Sequence, residues 1–266
     1  MEIWQAALLG LIEGLTEFLP VSSTGHLILL GHLLGLEGEG AHSFEIIIQL
    51  GALLAVVAHY RALIGERIAG LLRGEKAAQN LAISLIVAFL PVAVIGLLLR
   101  KTIKQLLFGP GPVAVALLVG GVVMIGSSFL RPKESGLTGL DQVTPRRALL
   151  IGLGQCFSLW PGVSRSMSTI LAGQATGLST ATAAEFSFLL ALPTLGAATV
   201  YELLKSWREL LAGSSAATLA VGLVVSFVVA WAVIAAFLRY LARAGLSPFG
   251  VYRIALAIAI FLFLGR

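Results

Sequence analysis

The sequence predicts an all-α polytopic membrane protein: six transmembrane helices plus two re-entrant helical hairpins in an inverted-topology repeat. Three observations predict it. Of 266 residues, 58% are hydrophobic and 12% charged, against about 25% charged in soluble domains, and the mean hydropathy is +0.98. Apolar runs of about 20 residues, enough to cross a hydrocarbon core, recur between short basic or glycine-rich links. Two stretches, residues 13–26 (EGLTEFLPVSSTGH) and 161–169 (PGVSRSMST), place acids, hydroxyls, a histidine and an arginine where such runs should be unbroken.

Residues 3–35 come first and are too long for one crossing. They are broken at Pro20, which lacks a backbone donor, and unpaired backbone in a bilayer is tolerated only inside protein or beside water. The segment therefore reads as a hairpin that enters and leaves on one side. Full crossings follow at 43–63, 78–99 and 112–130. Residues 147–178, broken at Pro161-Gly162, form the second hairpin, and crossings at 182–204, 217–239 and 248–265 complete the chain. No stretch is polar enough for a soluble domain, so one membrane domain is expected over 1–266. Met1-Glu2-Ile3-Trp4 shows no basic n-region, so no removable signal peptide is expected.

The halves echo each other at offsets of 140 or 141: Pro20 with Pro161, Ser23 with Ser164, Glu45 with Glu185. Each half orders one hairpin before three crossings, which suggests a duplicated unit, repeat 1 over 1–131 and repeat 2 over 146–266. Three crossings is an odd number, so the second copy is inverted and the hairpin tips can meet near the midplane. Ten Lys and Arg (Arg61, Arg67, Arg73, Lys76, Arg131, Lys133, Arg146, Arg147, Arg239, Arg243) fall in links on one side, and six (Arg100, Lys101, Lys104, Lys205, Arg208, Arg266) on the other. The positive-inside rule makes the first side cytoplasmic and puts both termini outside.

Charges at mid-membrane cost on the order of 2.5–3.5 kcal/mol each on insertion scales, so Glu13, Glu17 and Arg165 need partners or a wet cavity. Glu13 and Glu17, four apart, share a helix face. Two such carboxylates in low dielectric share a proton or a cation, and an oxygen-only ligand set suits Mg²⁺ or Ca²⁺. Ser22, Ser23 and Thr24 stand at the start of the hairpin's second half-helix, with His26 within a turn. A half-helix N-terminus with added hydroxyls attracts anions. The second cluster adds a cation: Ser164, Arg165 and Ser166 occupy a first helical turn with Ser168 and Thr169 behind, and an Arg fork suits phosphate or carboxylate oxygens. Arg165 could also neutralise Glu13, Glu17 or Glu185, but an ion pair alone does not require so many hydroxyls.

Other polar residues read as supporting ones. Glu45, Glu185 and Gln49 suit orientation of the hairpins, and His32, His42 and His59 fall near predicted interfaces. Gly10 and Gly14 suit close helix packing. Tyr252 and Arg253, inside the last crossing, either face the cavity or do not. A net charge of +5 and pI near 9.7 do not indicate nucleic acid, because the basic residues are scattered through short links. Cys156 is the only cysteine, which excludes intrachain disulfides and cysteine-rich metal sites.

EGLTEFLPVSSTGH and PGVSRSMST resemble the signature motifs, E-x-x-x-E and P-G-x-S-R-S-x-x-T, of the bacterial undecaprenyl-diphosphate phosphatases, also called bacitracin-resistance proteins. FEIIIQLGA at 44–52, AEFSFLLA at 184–191 and the tail around Tyr252-Arg253 are similar too. The resemblance implies hydrolysis of undecaprenyl diphosphate to undecaprenyl phosphate and inorganic phosphate, with a divalent cation, recycling the carrier for cell-wall polymers and conferring bacitracin resistance. It implies catalytic Glu17, Ser23, His26 and Arg165, with Ser23 as nucleophile assisted by His26 or Glu17 as base, or with direct attack by a water as the open alternative. Ser22, Thr24, Ser164, Ser166 and Thr169 would bind substrate, and Glu13 and Glu17 the metal, Mg²⁺ or Ca²⁺. The expected place is the bacterial plasma (inner) membrane with the site facing outside. The expected partners are the prenyl lipid and the bilayer, no nucleic acid, and a homodimer as an open alternative.

The competing reading is a lipid-carrier transporter or flippase using the same midplane site, alone or alongside hydrolysis, since inverted repeats and broken helices are transporter features. A second class of membrane lipid phosphatase, with His six residues after Ser-Arg and Asp four later, fits poorly, because those places hold Leu171 and Ala175.

Overall fold

The computed structural model describes residues 1–36, 39–130, 136–213, 215–241 and 243–263, apart from the side chains of 39–43, 104, 130, 206–213 and 263. The side chain of His42 and, from the charge count, Arg131, Lys133, Arg266 and the side chains of Lys104 and Arg208 lie outside the described residues. Among the described residues the chain is helical, with one isolated bridge between Leu137 and Leu178 and no strand.

The first broken segment is α1 (Ile3–Thr16) and α2 (Ser23–Leu33). Then come α3 (Glu39–His59), α4 (Arg61–Leu72), α5 (Lys76–Leu106) and α6 (Pro110–Leu130). The second broken segment is α7 (Pro145–Gln155), a short 3₁₀ turn at Cys156–Leu159, and α8 (Arg165–Ala175). The chain continues through α9 (Thr180–Gly213), α10 (Ala216–Leu241) and α11 (Ser247–Phe263). The interruptions fall where the sequence lacks backbone donors or side chains, at Pro20 and at Pro161-Gly162. Helix α7 starts with Thr144 capping Arg147 N–H and Pro145 in the first turn, a position that needs no donor.

Among the described residues four helices are long and apolar enough to cross a membrane, within α5, α6, α9 and α10, and α3 with α4 makes a fifth candidate as a bent pair. Within the crossing expected at 43–63, α3 stops at His59 and the chain turns by 71° into α4. Charged Arg61, Glu66 and Arg67 follow the bend, so the apolar path ends there. Helix α11 has 17 described residues, fewer than the expected span, whose last residues lie outside the description. Conversely α5 and α9 run to 31 and 34 residues, beyond the apolar stretches that predicted them.

Helices of the two halves pack crosswise: α1 on α10, α7 on α5, α3 on α9 and α10, and α6 on α11. Small residues permit the closest approach. A Cβ at Gly10 would stand 2.6 Å from Gly222 O, and one at Gly14 would stand 2.7 Å from Ser226 O. Ser226 in turn donates to Ile48 O at 2.5 Å, tying α10 to α3. Phe18, in the first break, packs with Phe186, Phe188 and Phe237 in one buried hydrophobic cluster.

The two breaks meet. Arg253 of α11 is fully buried, and its guanidinium donates to four carbonyls. Nη1 reaches Pro20 O at 3.2 Å in the first break, and Nη2 reaches Gly162 O at 2.8 Å in the second. Nη2 also reaches Ala116 O at 3.1 Å and Nε reaches Leu117 O at 3.4 Å, both on α6. Broken backbone exposes carbonyls that a helix would have satisfied, and one planar fork of five donors closes several of them at once.

Arg253→Met keeps the volume but leaves Pro20 O and Gly162 O, the two carbonyls in the breaks, without that donor, each at a cost of about 1–3 kcal/mol. The expected result is normal membrane insertion with a strongly lowered melting temperature in detergent. Arg253→Lys should recover part of the loss, since its ammonium can serve at most three of the four. A Met variant that melts with the wild type would remove Arg253 from this role.

Candidate active site at the two helix breaks

Helices α2 and α8 begin alike. Each is capped by a serine held at φ +73°, Ser22 and Ser164, the only non-glycine residues with positive φ among those described. The Ser22 hydroxyl accepts from Gly25 N–H and the Ser164 hydroxyl from Met167 N–H, both at 3.3 Å. Backbone in this region costs a side-chain-bearing residue of order 1–3 kcal/mol and persists where surroundings fix it. Ser22, and not Ser23, is therefore the counterpart of Ser164, which corrects the sequence pairing by one residue. The slip arises because the sequence echo was anchored on Pro20 and Pro161, and the two turns differ in length by a residue. Gly162, at φ +98°, lies against α6, where a Cβ would stand 2.7 Å from Val113 O.

With the serines capping, the next residue of each helix points to the join. Ser23 Oγ donates to Glu17 Oε2 at 2.5 Å. Arg165 Nη2 donates to the other oxygen, Oε1, at 3.2 Å, an ion pair whose side chains are 8% and 5% exposed. Arg165 Nη1 donates to Ser187 O at 2.9 Å, and the guanidinium lies 5.8 Å from the centre of the Phe18 ring. Its Nε is buried without a partner. Ser23, Glu17 and Arg165 thus form one line across the join of the two halves.

A cavity of about 160 Å³ opens on this line, with Glu17, Ser22, Ser23, Thr24, Gln49, Trp160, Ser164 and Arg165 in its wall. Of the residues expected to bind substrate, Ser22, Thr24 and Ser164 face this space. Ser166 and Thr169 do not line it: Ser166 Oγ donates to Leu19 O at 2.9 Å, and Thr169 Oγ1 pairs with Ser187 Oγ at 2.6 Å. Those hydroxyls hold α8 to the first break and to α9.

His26 also lies off the cavity wall. Its Nδ1 is 2.7 Å from Ser22 O and its Nε2 is 2.7 Å from Tyr252 Oη. A carbonyl accepts only, so Nδ1 carries the proton and Nε2 accepts from the tyrosine. Both ring nitrogens are engaged, the ring lies parallel to that of Tyr252 with centroids 5.7 Å apart, and Ser23 already has Glu17. Of the two expected candidates for the base of Ser23, His26 and Glu17, it is Glu17 that contacts the hydroxyl.

Glu13 is 1% exposed and lies within electrostatic reach of Glu17, Glu45 and Arg165. Its Oε1 is buried without a hydrogen-bond partner. An orphaned carboxylate oxygen beside a second carboxylate is a donor set that fits a hard cation. Among the described residues no group of three or more His, Cys, Asp or Glu could hold a metal, so remaining ligands would come from water or a bound anion, as is usual for Mg²⁺. Glu185 lies apart, within reach of Tyr60 and Arg67. Gln49 is on the cavity wall and accepts from Thr199 at 3.4 Å. His59 stacks edgewise on Tyr60, and Cys156 donates to Gly152 O at 3.3 Å.

Sequence reasoning missed the work of Tyr252 and Arg253, which bind His26 and the two breaks. Their signal was present: two polar residues side by side within an apolar helix. It missed Ser187, which serves both Arg165 and Thr169, and Trp160, whose Nε1 donates to Pro112 O at 3.2 Å; a serine or tryptophan in an apolar run carries no such signal.

The fold and site define a class, the polytopic membrane proteins that build a polar site from broken helices inside the bilayer region. The profile of one family, described as Bacitracin resistance protein BacA, matches residues 6–259, and the chain belongs to that family. A protein of Sorangium cellulosum (strain So ce56) named undecaprenyl-diphosphatase is 60% identical over 256 residues, which are 95% of this chain and 83% of that protein.

Ser22→Gly should cost little stability, because glycine accepts φ +73° and loses only the cap. Ser22→Ala should lower stability by about 1–2 kcal/mol, since it loses the cap and keeps the strain. Thermal unfolding in detergent compares them, and equal effects of Gly and Ala would show that the strain is not real.

Proposed function

We propose that this chain hydrolyses undecaprenyl diphosphate to undecaprenyl phosphate and inorganic phosphate. The reading places it in the bacterial plasma membrane with its site facing outside, recycling the lipid carrier for cell-wall polymers and conferring bacitracin resistance. The observation that carries it is the line Ser23–Glu17–Arg165, a hydroxyl, a base and an anion-binding fork in mutual contact. The relative's name is that of a diphosphatase, which favours hydrolysis over lipid carriage. The outside placement rests on the ten-to-six bias of Lys and Arg together with what the family resemblance implies. We also read the chain as two inverted units, supported by the shared serine caps and the crosswise packing.

Arg165 and the N-terminal N–H groups of α2 and α8 bind the terminal phosphate and stabilise charge developing on its oxygens. Ser23 Oγ attacks the phosphorus in line with the bridging oxygen while Glu17 Oε2 takes the hydroxyl proton. The bond from phosphorus to the bridging oxygen breaks, and undecaprenyl phosphate leaves with that oxygen. Glu17 passes that proton to the departing undecaprenyl phosphate, then takes a proton from a water whose oxygen attacks the phosphoserine, and returns it to Ser23 Oγ as the serine–phosphorus bond breaks and inorganic phosphate leaves. A divalent cation held by Glu13 and Glu17 would neutralise phosphate charge when bound. His26 fixes the Ser22 carbonyl and hence the strained turn that aims Ser23.

Rapid-quench with terminally labelled substrate should trap phosphate on Ser23, and none on Ser23→Ala; an unlabelled wild type would shift the reading to direct attack by water. Arg165→Ala, folded, should lose about 10²–10³-fold in kcat, and normal turnover would sink its assignment.

His26→Gln should lower kcat yet keep the acid limb of the kcat/KM profile where the wild type has it, because that limb reports the free enzyme's base. Disappearance of that limb in the variant would return the base to His26.

A further inference from the structure

Two long helices close one side of the cavity: Val92 of α5, and Thr194 and Leu195 of α9, line it. Val92 directly follows Pro91 in α5, and Thr194 and Leu195 follow Pro193 in α9. A proline within a helix lacks the bond to the carbonyl four residues back, so both helices are locally weakened at cavity level.

Further along, the same two helices are clasped. Arg100 Nη2 pairs with Glu202, its Nη1 donates to Tyr201 Oη at 2.9 Å, and its guanidinium lies 4.9 Å from the centre of the Tyr201 ring. Eight residues separate Val92 from Arg100 and eight separate Thr194 from Glu202, about 12 Å of helix on each side. The clasp therefore sits the same distance beyond the cavity on both walls. The faces around it are exposed and apolar, with Leu97 and Leu98 on α5 and Val200 and Leu204 on α9. The ion pair is partly open, 34% and 26% exposed, and pairs of that kind are weak enough to exchange partners.

We propose that the cleft between α5 and α9 is the portal through which the substrate's prenyl chain reaches the cavity from the bilayer, with Arg100, Tyr201 and Glu202 as its clasp. The inference rests on the prenyl-diphosphate reading above. A long apolar chain needs an apolar path from the lipid, and this is the side where two weakened, lipid-facing helices form the cavity wall itself. The other apolar hollow, about 370 Å³ between α1, α2 and α11, borders His26. It lies behind α2, and the His26–Ser22 hydrogen bond stands between it and the cavity.

The test uses full-length Cys156→Ala protein carrying Arg100→Cys and Glu202→Cys, bridged by a bis-methanethiosulfonate reagent that reductant removes. Phosphate release is measured from undecaprenyl diphosphate and from a short, water-soluble isoprenyl diphosphate. The bridged protein should lose about tenfold or more on the long chain and much less on the short one, with recovery after reduction. Long-chain turnover unaffected by the bridge, or equal loss on both substrates, overturns the portal. Wild type releasing phosphate from neither substrate overturns the functional reading instead. As an independent variant, Glu202→Gln opens the clasp and should raise long-chain kcat/KM severalfold without changing the short-chain value; no change in the long-chain value counts against the proposal.

Discussion

The arrangement depends on Arg253. A helix broken in an apolar medium leaves peptide groups that no lipid can satisfy, and here two breaks must sit side by side for any site to exist. One guanidinium bonded to Pro20 O, Gly162 O and two carbonyls of α6 makes the pair of breaks satisfiable together. A hydroxyl or amide at that place would reach one or two of these carbonyls. Arginine's rigid fork is suited to the task because its donors diverge in one plane and stay charged in any protein setting. The cost of burying that charge is offset by the four charge-assisted bonds, and the breaks in turn keep the charge from standing alone.

Its neighbour Tyr252 works on the same turn from the other side, through His26 to Ser22 O. Two adjacent residues of α11 therefore grip both flanks of the first break, and the strained Ser22 between them has little freedom to relax. Strain held in this way is useful when the next residue must be aimed. Ser23 follows directly and meets Glu17 at 2.5 Å. Hydroxyls that the motifs suggested for ligand contact, Ser166 and Thr169, are used instead to fasten α8 to Leu19 O and Ser187.

The helical membrane class and the two broken segments were legible because composition and a proline among charges are local signals. The identities of Glu17, Ser23 and Arg165 as a cluster were legible too, since buried charge demands a reason. What could not be read was side-chain direction. Ser22 and Ser23 are chemically alike, and only backbone dihedrals reveal that the first caps a helix while the second faces Glu17. His26 stands within a turn of the hydroxyls in sequence, yet a helix turns by 100° per residue and presents it to Tyr252. The bend after His59 was missed because an apolar run by itself carries no information about a corner, and Arg253 because its four partners are carbonyls, which every sequence has everywhere.

Glu17 and Arg165 come from different halves of the chain, and neither half alone contains a hydroxyl, a base and a guanidinium in contact. The site therefore exists only when the chain is folded, and folding has already met the cost of stripping water from Arg165. Glu17 and Ser187 hold the guanidinium in place of that water. On the proposed reading an arriving phosphate oxygen exchanges with Glu17 Oε1 at a cation that is already dry and oriented. Little reorganisation is left for the reaction itself, which is the condition under which fixed donors stabilise developing charge best. The unpartnered Nε of Arg165 and Oε1 of Glu13 fit the same account. Each is a buried polar atom left without a protein partner beside Glu17, one a donor suited to an anion and the other an acceptor suited to a cation.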